Sequence, residues 1–151
     1  MRKTLKLYKK AINYPFGKKL FGLGICLNAP YFLSIRPKII EIESNYVEIK
    51  IKKRKAVTNH INTVHAIAMC NMAEIAGGLM TEVSVKDKSR WIPSGMTVKY
   101  LKKAKTDLTA ISDGTGIDWS KEGETLVPVI IKDKNDETVF TAEITMNIKH
   151  S

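Results

Sequence analysis

One carboxylate, Glu74, interrupts the otherwise uncharged run from Ala66 to Met80. A charge in apolar surroundings is costly unless it is paired or put to use. Two readings follow: a buried acid satisfied by the backbone or by Asn59, or a group turned toward a substrate. The run is preceded by Asn59-His60-Ile61-Asn62-Thr63-Val64-His65, dense in polar side chains and ending where a helix should begin. The first N–H groups of a helix lack internal partners and carry partial positive charge, so Val64, His65 and Ala66 would offer an oxyanion site. Asn62 or Thr63 serves as the expected N-cap. Nine residues separate His65 from Glu74, about two and a half turns, which sets them on opposite sides of the helix. One chain cannot readily aim both at a single atom, whereas two chains about a twofold axis can.

The spacing predicts a helix from Val64 to about Met80, apolar on nearly every side and therefore buried all round. Gly77-Gly78 suits close packing near its end. Before it, Ile35 to Glu43 and Tyr46 to Lys53 read as a hairpin across Ser44-Asn45, with Val47, Ile49 and Ile51 alternating against Glu48, Lys50 and Lys52. Ala56 to Asn62 reads as a loop. Five strands are expected after the helix, beginning with a short one at Glu82 to Val85 and then Met96 to Lys103, Lys105 to Ser112 and Leu126 to Lys132. A last strand, Val139 to Lys149, alternates Phe140, Ala142, Ile144, Met146 and Ile148 with polar residues. A strand pair, one buried helix and an antiparallel meander make an α+β layer architecture.

At 151 residues the chain is read as one hydrophobic core preceded by a basic helical arm, residues 1–30 and 31–151. Residues 1–55 hold 14 Lys or Arg against three Glu, and residues 56–151 hold 11 against 12 acids. The basic third suits an acidic lipid surface, a nucleic acid or a phosphate-bearing small molecule, or is simply a solvated face. Nucleic acid is not expected, because no aromatic-interleaved RNA motif or helix-turn-helix pattern accompanies the charge. Leu20 to Leu27 is too short to span a bilayer, and no transmembrane segment is expected. Cys26 and Cys70 read as reduced, buried thiols of a cytoplasmic protein, and no zinc spacing can be assembled from three histidines. His60 and His150 read as surface residues, Trp91 and Trp119 as packing residues with exposed edges. The basic run Lys50 to Lys55 reads as an edge-strand guard or as an anchor for phosphates.

The segment Asn59-x-x-Asn62-Thr63-x-His65, with an acid nine positions beyond the histidine, resembles the signature of hotdog-fold acyl-CoA thioesterases of the phenylacetate-pathway type. It is most similar to a hotdog subfamily labelled a domain of unknown function. The resemblance implies one curved antiparallel sheet wrapped around a long central helix, and metal-independent hydrolysis of an acyl-CoA thioester. By position, Glu74 matches the acid that acts as general base or nucleophile, Asn59 the residue that orients water, and Ala66 the residue whose N–H binds the carbonyl oxygen. His65 takes a structural or orienting position. Asn62, Thr63 and Ile67 would flank the substrate, and Lys53, Arg54 and Lys55 would anchor coenzyme A phosphates. No cofactor beyond the thioester itself is implied, and the site would lie at a homodimer interface, in a dimer or a dimer of dimers. The chain departs from the pattern at Ala66-Ile67, where the family has Gly-Gly, at Asn62, which replaces Gly, and at Glu74, which replaces Asp. A non-catalytic acyl-CoA or lipid-binding hotdog module is the alternative.

Overall fold

The computed structural model describes residues 2–151. Two helices come first, α1 (Lys3–Ala11) and α2 (Gly17–Asn28), followed by a 3-10 turn at Pro30–Ser34. Strands β1 (Lys38–Glu43) and β2 (Tyr46–Ile51) form the expected hairpin, with Asn45 at φ 65° in the turn. Asn accepts this left-handed backbone more readily than most residues. A second short 3-10 turn, Lys55–Val57, leads to the central helix α3 (Ala66–Ser84). Strands β3 (Arg90–Tyr100), β4 (Leu108–Asp113), β5 (Gly123–Lys132) and β6 (Thr138–Lys149) complete the chain.

All six strands share one antiparallel sheet in the order β1-β2-β4-β5-β6-β3, which wraps α3 as a hotdog fold. The alternation read in β2 and β6 is realised: Val47, Ile49, Ile51, Phe140, Ile144, Met146 and Ile148 are buried against the helix. Met72, Ile75, Ala76 and Met80 meet them from α3. Gly77 permits this close approach, because a Cβ there would come within 2.8 Å of Ile144 and 3.3 Å of Val127 and Val129.

Several expectations are corrected. The strand placed at Glu82 to Val85 is the last turn of α3, which runs on through Ser84. The third strand starts at Arg90 rather than Met96, its alternation masked by the irregularity between Pro93 and Gly95. It does not join a meander, since β3 pairs with β6 at the far edge while β4 sits beside β2. Strand β2 is therefore interior, so its lysines guard no edge, and the free edges belong to β1 and β3. Nor is α3 buried all round, for Ile67 and Glu74 are exposed. Cys26 is buried as expected, while Cys70 is only half-buried, and both thiols are free. His150 is not a loose surface residue: its ring nitrogens lie 2.8 Å from Ser89 Oγ and 3.0 Å from the Ser120 carbonyl.

Among the described residues no helix is long and apolar enough to cross a membrane. Helices α1 and α2 form the basic arm, packed on the core through buried Leu5 and Tyr8 and half-buried Phe21 and Ile25. The Tyr8 and Phe21 rings meet edge to face at 5.3 Å.

Candidate functional site

The loop before α3 is built around Asn59. Its side-chain Oδ1 accepts from the N–H groups of Ile61 (3.2 Å) and Thr63 (3.0 Å), and its Nδ2 donates to Thr63 Oγ1 at 2.9 Å. Its backbone N–H donates to the Thr63 carbonyl at 2.9 Å, which closes the turn from both directions. Asn62 sits inside it at φ 58°, the left-handed conformation for which a glycine or asparagine is suited. Thr63 is buried by the same bonds.

The helix begins two residues later than the sequence suggested, at Ala66. His65, not Asn62 or Thr63, is the N-cap, and its Nδ1 accepts from the Ile67 N–H at 3.0 Å. In the neutral ring this leaves the proton on Nε2. The Val64 N–H donates to the Ala104 carbonyl and the His65 N–H to that of Val57, both at 2.8 Å. Two of the three expected oxyanion donors are thus spent within the chain. The Ala66 N–H, first in the helix, has no intrahelical acceptor.

Glu74 lies on the exposed face of α3 and makes no hydrogen bond or ion pair among the described residues. It faces a groove of about 880 Å³ between α3 and the basic arm, lined also by Ile75, Gly78, Leu79 and Glu82 of the helix and by Leu20 and Gly24 of α2. His65 and Ile67 line a separate, smaller depression with Tyr31, Ser34 and Asn71. The opposite-side relation read from the nine-residue spacing is therefore realised, since one chain presents the acid and the helix start to different hollows. Cys70, one turn before Glu74, lies 3.8 Å from the Tyr100 hydroxyl of β3. That hydrogen bond is the main influence raising the Tyr100 pKa, with burial adding to it.

The basic residues are only loosely gathered. The Lys53 backbone N–H donates to Asp107 Oδ1 at 2.8 Å, the Arg54 guanidinium binds the Ser34 carbonyl, and Lys55 is exposed. None of the three lines either hollow. No group of three or more His, Cys, Asp or Glu side chains among the described residues is placed to hold a metal ion.

The far end of the groove went unread in the sequence. Glu82, two turns beyond Glu74, accepts from Arg2 Nη2 (2.8 Å), Thr4 Oγ1 (2.9 Å) and Trp91 Nε1 (2.9 Å). Burial alone would raise its pKa, but the bonds from Arg2, Trp91 and Thr4 outweigh it and hold the carboxyl below its ordinary value. The i, i+4, i+8 spacing of Glu74, Gly78 and Glu82 was the available signal.

A family profile described as a domain of unknown function, DUF4442, matches residues 17–148. The chain belongs to that family. The crystal structure of the structural-genomics target APC5556 is similar along nearly its whole length, with 43% identity, a TM-score of 0.88, and coverage of 98% of this chain and 99% of that one. The thioesterase HI1161 of Haemophilus influenzae superposes with a TM-score of 0.73 at 11% identity, over 84% and 87% of the two chains. The probable thioesterase PA5026 of Pseudomonas aeruginosa gives 0.72 at 18% identity, over 81% and 88%. At these lower identities the likeness establishes the hotdog fold. No curated protein sequence matches the chain.

Proposed function

We propose that the protein hydrolyses an acyl-CoA thioester without a metal, at a site shared by two copies of the chain. The observation that carries this reading is Glu74, an uncommitted carboxylate facing an apolar groove on the central helix of a hotdog fold. Such an acid is placed to act on a substrate rather than to hold the fold together. Glu74 takes a proton from a water whose oxygen attacks the thioester carbonyl. The oxyanion so formed is met by the Ala66 N–H of a second copy, backed by the partial positive charge of that helix start. The C–S bond then breaks, the acid leaves as product, and the coenzyme A thiolate takes up the proton held by Glu74.

The free β3 edge supports the pairing. Eleven residues long and exposed along most of its length, it carries Ile92, Met96 and Tyr100 in the open. An unpaired strand edge of this kind is a template for joining a second chain, and twofold pairing would continue the sheet across both copies.

Acyl-CoAs of varied chain length, aliphatic and aromatic, with a thiol reagent to trap released coenzyme A, provide the test. Glu74→Gln keeps the shape and removes the base, and kcat falls about 10²- to 10⁴-fold. Equal rates for the two proteins would sink the mechanism. One observation favours a second reading, a non-catalytic acyl-CoA-binding module: the Asn59 amide is already held by Thr63 and is not free to orient water. In that case wild type and Glu74→Gln are both inert yet bind the thioester.

A further inference from the structure

We propose that the groove between the arm and α3 holds a long aliphatic acyl chain, with its carbonyl end at Glu74, its tail toward Glu82, and α2 as the outer wall that sets chain length. This rests on the hydrolase reading for the carbonyl's position, but the binding claim stands on the groove itself. Glu74 and Glu82 lie eight residues apart on one helix face, a run of about 12 Å. The Glu74 end presents an unpartnered carboxylate. Toward the other end Arg2, Thr4 and Trp91 gather on Glu82, so that acid offers no free charge to a tail. Between them the walls are Leu7, Leu20, Ile25, Ile75, Leu79 and Met146.

Volume separates the candidate acyl groups. A methylene takes roughly the space of a water in the liquid, ~30 Å³, so a sixteen-carbon chain needs about 500 Å³ and an arylacetyl group about half of that. The groove offers about 880 Å³. An aryl group would cover only part of its apolar wall, whereas a long chain covers the larger part and takes that surface out of water.

Two glycines keep the groove open. A Cβ at Gly78 would come within 3.2 Å of the Trp91 ring, so a side chain on the floor there would press on that ring. A Cβ at Gly24 on the opposite wall would meet nothing within 4 Å. A side chain added at Gly24, which lines the groove, therefore starts from open space.

The test measures binding of saturated acyl-CoAs, from four to sixteen carbons, to the Glu74→Gln protein by calorimetry, with and without Gly24→Leu. Affinity should rise by up to about fourfold per added methylene until the groove is full, then level off. Gly24→Leu should bring the plateau several carbons earlier and lower the ratio of long- to short-chain affinity at least tenfold. Its melting temperature should not fall, which shows the variant folded. Leu20→Trp, one turn away on the same helix, supplies a second obstruction. Affinity that ignores chain length, or a plateau that neither variant moves, overturns the proposal. Glu74-dependent hydrolysis with an unmoved plateau would leave the enzyme reading intact and remove this one. A moving plateau without hydrolysis by wild type would do the reverse.

Discussion

Replacing Glu82 by Gln tests how the arm is fastened. The Glu82 carboxylate receives three side-chain bonds, and its charge faces Arg2, with side chains 24% and 14% exposed. Arg2 also donates to the carbonyls of Glu82, Lys86 and Ser89, so the guanidinium keeps partners when the acid is lost. The charge-assisted bond is worth about 1.5–3 kcal/mol and a neutral one about 1 kcal/mol. A glutamine can still accept from Trp91 or Thr4 but offers Arg2 no charge. Allowing for partial exposure, the loss is about 2 kcal/mol, or a Tm about 4–8 °C lower for a chain of this length. The pH dependence identifies the source. Because the folded carboxyl titrates below its ordinary value of 4.5, its stabilisation is present above the unfolded pKa and is lost as pH falls through the folded one. The Tm gap between wild type and Glu82→Gln should thus be full at pH 7 and shrink below pH 4.5. Comparing the two proteins cancels the exposed Asp113 and Asp118, whose hydrogen bonds also lower their pKa values. Scanning calorimetry at pH 7 and pH 3 decides the matter, and a gap of equal size at both refutes the reasoning.

Two further outcomes follow from the arm turn and the loop. A Cβ at Gly17 would lie 1.7 Å from the Ala11 carbonyl oxygen, a backbone atom that cannot step aside, so Gly17→Ala should cost about 1–3 kcal/mol, seen as a lower urea midpoint. Gly24→Ala in the same helix, where the added methyl touches nothing, should hold or raise that midpoint. Asn59→Ala should lose about 1–2 kcal/mol by leaving the Ile61 and Thr63 N–H groups without their acceptor, and Asn59→Asp, which retains the Oδ1 acceptor, should recover most of it. Equal denaturation midpoints for Asn59→Ala and wild type would contradict that account of the loop.

The hotdog layering was legible because β2 and β6 alternate strictly and α3 is apolar over many turns, two periodicities that survive any tertiary context. Strand order was not legible, since β3 reaches β6 only through the curvature of the sheet, and the Pro93-Ser94-Gly95 irregularity hides where the strand begins. The end of α3 was misplaced because Val83 and Val85 are β-branched and alternate with polar Glu82 and Ser84, and burial of both valines against the core overrides that preference. At the site, Glu74 was conspicuous as a lone charge, and Asn62 fitted the turn it occupies. The expected oxyanion donors at Val64 and His65 could not be ruled out from sequence, because their acceptors, Ala104 and Val57, arrive by tertiary packing and by a loop closure. The groove was invisible for the same reason: one wall lies in the arm and the other in α3, some 50 residues later.

The charge and the shape of the arm both bear on the proposed substrate. Residues 2–36 carry eight Lys or Arg and no acid, since the first acidic residue is Glu41. Their own attachments use few of these charges: Arg2 binds Glu82, Lys9 lies 3.1 Å from an exposed Glu43, and Lys18 Nζ donates to the Ile40 carbonyl at 2.6 Å. The exposed Lys9–Glu43 pair contributes at most about 1 kcal/mol, so buried Leu5 and Tyr8, together with the Glu82 cluster, do most of the fastening. The remaining cations repel one another and lie outside the groove, since no Lys or Arg lines it. The substrate proposed above, an amphiphile with a polyanionic head and an aliphatic tail, would meet both features, its tail in the groove beside α2 and its head toward the lysines outside it. Coenzyme A thioesters have that form, whereas a neutral lipid or a short anionic metabolite satisfies only one half of it.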